Sequence, residues 1–117
     1  VIDYCTSGVE PARVMAAPIP AIETLLQRNQ LTIGDLAYVE HNEAFAAASC
    51  AVAKACHIPD EKFNPHGGAV AIGHPLGATG ARCLMTLINA LRRTGGGKGI
   101  VTLCLGGGNA VAMLVDA

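Results

Sequence analysis

The sequence predicts an α/β domain, and three observations carry that prediction. Apolar residues recur at helical spacing over 21–26 and again over 81–91. Two β-rich runs, Ile100 to Cys104 and Ala110 to Val115, flank three consecutive glycines. A short β-rich run and an alanine-rich stretch lie between the first helix and these strands, so helices alternate with strands.

Val1 to Ser7 is expected to be a short strand, broken by Gly8-Val9-Glu10-Pro11. Pro18-Ile19-Pro20 opens a helix, since proline is tolerated in a first turn. Its apolar face is Ala21, Ile22, Leu25 and Leu26, and Asn29 ends it. Ile33 to Asp35 turns the chain into a strand at Leu36-Ala37-Tyr38-Val39. Asn42 is placed as an N-cap, with Glu43 in the first turn where the helix dipole favours an anion. The helix then runs to about Cys56. Phe45, Ser49, Val52, Ala53 and Cys56 share one face, and alanines cover the rest. A helix that small and apolar all round is expected to be buried. Asn64 to Gly80 is a long loop dense in Gly, His and Pro, a type that is usually functional. A helix from about Ala78 to Arg93 follows, with Ala81, Leu84, Ile88 and Leu91 on one face, ended by Thr94-Gly95-Gly96-Gly97. The last two strands form an antiparallel hairpin around Gly106-Gly107-Gly108, buried on both faces.

The 117 residues suit one domain. With 51% hydrophobic and 15% charged residues the chain is not disordered. Eight basic residues face nine acidic ones with no basic run, which excludes an electrostatic nucleic-acid binder. Aromatic residues make up 3%, too few for base-stacking platforms. No apolar run is long enough to span a membrane, and no signal-peptide pattern opens the chain. The start at Val1 without an initiator Met, and the low charge, point to a truncated or processed piece of a larger body. Five cysteines, at 5, 50, 56, 83 and 104, form no C-x-x-C pair. An odd, irregular set is read as free thiols in a reducing compartment, with no metal site.

Three segments put polar groups into apolar, glycine-rich settings. In His41-Asn42-Glu43-Ala44-Phe45 the Asn42 amide could orient a water or a substrate carbonyl; otherwise it is only a cap. In Gly67-Gly68-Ala69-Val70-Ala71-Ile72-Gly73-His74-Pro75-Leu76-Gly77, the imidazole of His74 sits on a rigid turn with room for a ligand. Histidine can polarise an oxyanion or exchange a proton near neutral pH. In Leu103-Cys104-Leu105-Gly106-Gly107-Gly108 a thiol at a strand end lies beside exposed backbone N–H groups, the makings of an oxyanion hole. The alternative there is a buried cysteine in a tight hairpin. The glycines lack the G-x-G-x-x-G spacing of a dinucleotide site. Cys, His and an Asn amide together point to acyl transfer, and residue chemistry alone names Cys104 as nucleophile.

Asn42-Glu43-Ala44-Phe45, the Gly67-Gly68-Ala69…Gly73-His74-Pro75-Leu76-Gly77…Gly80 run and Cys104-Leu105-Gly106-Gly107-Gly108 resemble, in order and spacing, the C-terminal part of the thiolases. The Pro11…Met15…Pro18-Ile19-Pro20-Ala21 stretch is also similar, so the likeness covers the whole chain. It implies the layered thiolase fold, with a mixed sheet and the alanine-rich helix as a buried central helix. Residues 1–117 would be an incomplete C-terminal domain whose N-terminal half is absent. The implied reaction is Claisen condensation of an acyl-CoA with acetyl-CoA, or cleavage of a 3-ketoacyl-CoA by CoA, with no tightly bound cofactor. By motif, His74 would bond the thioester oxygen and help activate the nucleophile. Asn42 would hold a water that completes an oxyanion hole with His74. Cys104 becomes the acid/base for the α-proton, because the acylated cysteine of thiolases lies in the N-terminal half. The Gly106 N–H would serve a second oxyanion hole, and Phe45 and Met15 would shape the acyl or pantetheine pocket. The partners implied are acyl-CoA and CoA, with the missing N-terminal half or a homo-oligomer (dimer or tetramer). Neither nucleic acid nor membrane is expected, and the location is cytoplasmic. The sequence departs from the family's commonest pattern at His41, at Pro65-His66 and at Ala110.

Two other readings remain. A decarboxylating 3-ketoacyl synthase shares the fold, but Cys104 in its glycine turn favours a thiolase. A non-catalytic fragment or interaction module would keep the fold without turnover. Either way, a piece with uncovered layers is expected to self-associate or to bind a partner chain.

Overall fold

A computed structural model describes all 117 residues, Val1–Ala117. Its centre is a four-stranded mixed sheet. The strands are β1 (Asp3–Gly8), β2 (Tyr38–His41), β3 (Lys98–Leu105) and β4 (Asn109–Asp116), in the order β1-β4-β3-β2. The predicted hairpin is present: β3 and β4 pair antiparallel from Lys98↔Asp116 to Leu105↔Asn109. Its tight turn depends on Gly108, which has a φ of 92° and lies against the Val9 carbonyl, where a Cβ would collide with backbone. β1 lies antiparallel on β4, and β2 lies parallel to β3.

Side chains alternate across the sheet, so each face carries its own core. Helix α1 (Pro18–Arg28) packs Ala21, Ile22 and Leu25 against Cys5, Ile100, Ala112 and Leu114 on one face. Helix α4 (Thr79–Arg93) packs Cys83, Leu87 and Leu91 against Val101 and Val115 on the other. The hairpin is therefore covered on both sides, as its apolar runs require.

Four expectations change in detail. The second strand is Tyr38–His41 rather than 36–39. Leu36 instead closes the turn Ile33–Asp35, where its N–H donates to the Ile33 carbonyl. Asn42 is not a helix cap. Its N–H continues the ladder to the Thr102 carbonyl, and helix α2 (Ala46–Ala55) begins after Phe45. The buried face of α4 is Thr79, Cys83, Leu87, Ala90 and Leu91. Ala81 is exposed, and Leu84 and Ile88 are half-buried. Finally, the alanine-rich helix is not buried within these residues: only Ala48 and Val52 of α2 are. Ala46, Ala47, Cys50 and Ala51 face outward because no element of the chain packs over that side. The long loop also contains one helical turn, α3 (Ala69–Ile72). No helix is long and apolar enough to cross a membrane.

The turn before β2 is held from a distance. Lys62 Nζ donates to the carbonyls of Ile33, Gly34 and Leu36 at 3.2, 2.9 and 2.6 Å. One ammonium thus bridges three carbonyls of the turn, and the Ile33 carbonyl also accepts from the Leu36 N–H. Lys62→Met is expected to lower unfolding free energy by about 2 kcal/mol, since hydrogen bonds to charged groups contribute roughly that much. Urea denaturation checks it, and an unchanged midpoint would mean that the ammonium contributes nothing.

Candidate active site

The parallel strands β2 and β3 end at the same edge of the sheet. Asn42 follows β2 directly, and Cys104 stands one residue before the end of β3. The segment from Asn64 to Thr79 folds back over this edge and brings His74. Asn42, His74, Leu76, Thr79, Cys104, Leu105 and Gly106 line one cleft of about 290 Å³. Four of the six predicted site residues are thus brought together. Phe45 and Met15 are not in the cleft lining; both lie exposed, Phe45 just before α2 and Met15 in the turn Pro11–Ala16.

Hydrogen bonds determine the state of His74. Its Nδ1 is 2.6 Å from Thr79 Oγ1, and that hydroxyl donates to the Pro75 carbonyl at 2.8 Å. A carbonyl only accepts, so the hydroxyl proton is taken and the Thr79 oxygen accepts from the imidazole. The neutral ring therefore carries its proton on Nδ1. Nε2 keeps its lone pair and lies 3.4 Å from Asn42 Nδ2. Asn42 is 1% exposed, and its Oδ1 accepts from Arg82 Nη2 at 3.3 Å. A base and an amide donor thus share one corner of the cleft.

A second set of bonds holds the loop that carries His74. Asn64 Oδ1 accepts from the His41 N–H at 2.8 Å, and its Nδ2 donates to the His41 carbonyl and to Glu43 Oε1. The other Glu43 oxygen accepts from the Val70 N–H at 2.9 Å. Gly68 is packed so closely that a Cβ would sit 2.8 Å from Glu43 Cδ and Oε2. Glu43 is therefore neither a dipole partner nor free in solution; it ties the His74 loop to the end of β2.

Cys104 is half-buried and belongs to no disulfide; all five cysteines are free thiols. Burial pushes the thiols of Cys56 and Cys83 up to about 11 and raises that of Cys5, so these stay protonated and structural. Exposed Cys50 lines a separate groove with Ser49 and Lys54. Gly106 is exposed beside Cys104, and its N–H has no acceptor within the chain. That free donor is what an oxyanion site requires.

The thiolase C-terminal domain model matches residues 1–117, the full length of the chain. The chain belongs to the thiolase family. As a thiolase C-terminal domain it is 47% identical over 119 residues to the acetyl-CoA acetyltransferase of Syntrophomonas wolfei, covering all of this chain and 30% of that protein. It is 46% identical to the cytosolic acetyl-CoA acetyltransferase of rat, over 99% of this chain and 29% of that one. Among solved structures it is similar to the Acat5 thiolase from Ascaris suum in complex with coenzyme A, with a TM-score of 0.94 and 40% identity. That likeness covers 99% of this chain and 30% of the other. Human mitochondrial 3-ketoacyl-CoA thiolase gives the same TM-score at 38% identity, over 97% of this chain and 29% of its own. This thiolase domain thus spans about 30% of the length of the relatives it matches. The expected α/β thiolase fold with a mixed sheet is the one observed.

Residue reading missed Arg82, Thr79 and Asn64. Thr79 and Arg82 left a faint signal, as polar residues at the start of an otherwise apolar helix face. Asn64 left none.

Proposed function

We propose that this domain supplies part of the active site of an acyl-CoA acyltransferase of the thiolase type, which condenses an acyl-CoA with acetyl-CoA or cleaves a 3-ketoacyl-CoA with CoA. The observation that carries the reading is the single cleft uniting Asn42, His74, Cys104 and Gly106. The nucleophilic cysteine belongs to the N-terminal half, which is absent from these 117 residues; the assembled enzyme is this domain together with that half. His74 Nε2, holding a lone pair, suits proton transfer from the nucleophile and, once protonated, donation to the thioester oxygen. Asn42 Nδ2 positions a water beside it. Cys104 moves the α-proton, and the Gly106 N–H steadies the oxyanion of the second substrate. Phe45 and Met15 shape the acyl or pantetheine pocket when the remaining half covers that side. The enzyme holds no tight cofactor and works as an oligomer in the cytosol; the rat relative, named as cytosolic, supports that location.

The test is thiolysis of acetoacetyl-CoA by the assembled enzyme. His74→Ala is expected to lower kcat/KM by about 100-fold, as loss of an oxyanion donor and proton carrier does. An unchanged rate would overturn the role given to His74. Exchange of deuterium into the methyl group of acetyl-CoA separates a thiolase from a decarboxylating synthase, which removes no α-proton. An assembled enzyme that neither turns over nor binds CoA would favour the non-catalytic module.

A further inference from the structure

Between β2 and α4 lie two ionisable groups that the proposed reaction does not use, the buried Glu40 and the half-buried Arg82. Glu40 is fully buried, and neither carboxylate oxygen has a hydrogen-bond partner. Arg82 Nε is also buried and unpartnered, while its Nη2 donates to Asn42 Oδ1 at 3.3 Å. The guanidinium therefore spends its one cleft-side bond on the amide that faces His74.

We infer that Arg82 is a positioning residue that sets which end of the Asn42 amide faces the cleft. An asparagine amide presents either an acceptor or two donors, depending on a half-turn of its last torsion. Beside a cation the oxygen is held toward the charge and the NH2 is turned away. One Asn42 N–H then meets the lone pair of His74 Nε2, and the other is left for the cleft. Without Arg82 the amide turns freely, and its oxygen can face a developing oxyanion that needs a donor. The loss falls on the transition state, so kcat drops while KM moves little.

The inference rests on the thiolase reading, and the experiment separates the two. Condensation of acetyl-CoA is measured for the assembled wild-type enzyme, for Arg82→Lys, and for a double variant carrying Glu40→Gln and Arg82→Met. The double variant removes the guanidinium and the buried carboxyl together, so neither group is left behind without the other. A merely structural Arg82 would leave its kcat intact. The expected result is a kcat lowered about 30-fold in the double variant and about 5-fold in Arg82→Lys, which keeps a cation near Oδ1, with KM within about twofold throughout. A double variant within twofold of wild-type kcat overturns the inference. Should that variant fail to fold, Arg82→Lys at wild-type kcat overturns it instead. A wild-type enzyme without turnover overturns the thiolase reading and this inference with it.

Discussion

Cys104→Ala is expected to abolish carbon–carbon bond formation while leaving acyl transfer to the enzyme intact. In the assembled enzyme, acetyl-CoA should still release one equivalent of CoA as the nucleophile in the other half is acylated. Exchange of the acetyl-CoA methyl protons with solvent, and condensation, should fall by about 10³-fold, within the range of a positioned general acid or base. The split follows from position. Cys104 lies in the cleft with Asn42, His74 and the free N–H of Gly106, and the hydrogen bonds of His74 go to Thr79 and Asn42 rather than to its sulfur. The thiol is therefore not hydrogen-bonded to the imidazole, and it is left for a second substrate. Were Cys104 the nucleophile, as its residue type alone suggests, acylation would vanish along with condensation. Burst measurement and methyl exchange on the same variant distinguish the two. A full burst with full exchange would remove Cys104 from both steps.

Much of this site is legible locally. Cys104-Leu105-Gly106-Gly107-Gly108 states its own geometry: β-rich runs on both sides demand a hairpin, and consecutive glycines supply its turn. His74 stands out because glycines and a proline surround it. Asn42 is only half legible. Asparagine is also a favoured helix cap, and an intact ladder bond from Asn42 to Thr102 appears only once β2 is paired. β2 itself is displaced toward Glu40 and His41, which no periodicity argument puts inside a sheet, yet both are fully buried. The burial expected of α2 fails for a different reason. An alanine surface predicts burial, but no element of these 117 residues packs over it. The supporting residues are the least legible. Arg82 meets Asn42 from 40 positions away, and Asn64 meets His41 from 23. Such contacts are products of topology, and local spacing carries no trace of them.

Glu40 and His41 are adjacent in sequence, buried on opposite faces of β2, and expected to oppose each other in acid. Burial pushes Glu40 up to about 7 from 4.5, with the positive charge of Arg82 partly offsetting it and Glu43 adding to it. The native state thus holds a proton that the unfolded chain loses above pH 4.5, so stability from this group rises as pH falls from 7 to 4.5. His41 is stacked on Phe63 with its Nδ1 3.0 Å from Ser49 Oγ, and its buried Nε2 has no partner. Burial lowers it to about 4 from 6.5, against the pull of Glu43. The unfolded chain binds that proton first, so stability from this group falls as pH drops from 6.5 to 4. Across pH 6.5 to 4.5 the two slopes nearly cancel, and the wild-type protein should hold an almost constant unfolding free energy. Asp35, whose carboxyl the Thr32 hydroxyl holds low, titrates below that window. Glu40→Gln leaves His41 unopposed and should lose about 3 kcal/mol between pH 6.5 and 4.5. His41→Leu leaves Glu40 unopposed and should gain about as much over the same interval. Denaturant titrations of the three proteins at pH 4.5, 5.5 and 6.5 check the pair, and a flat profile in Glu40→Gln would mean that His41 titrates alike in both states.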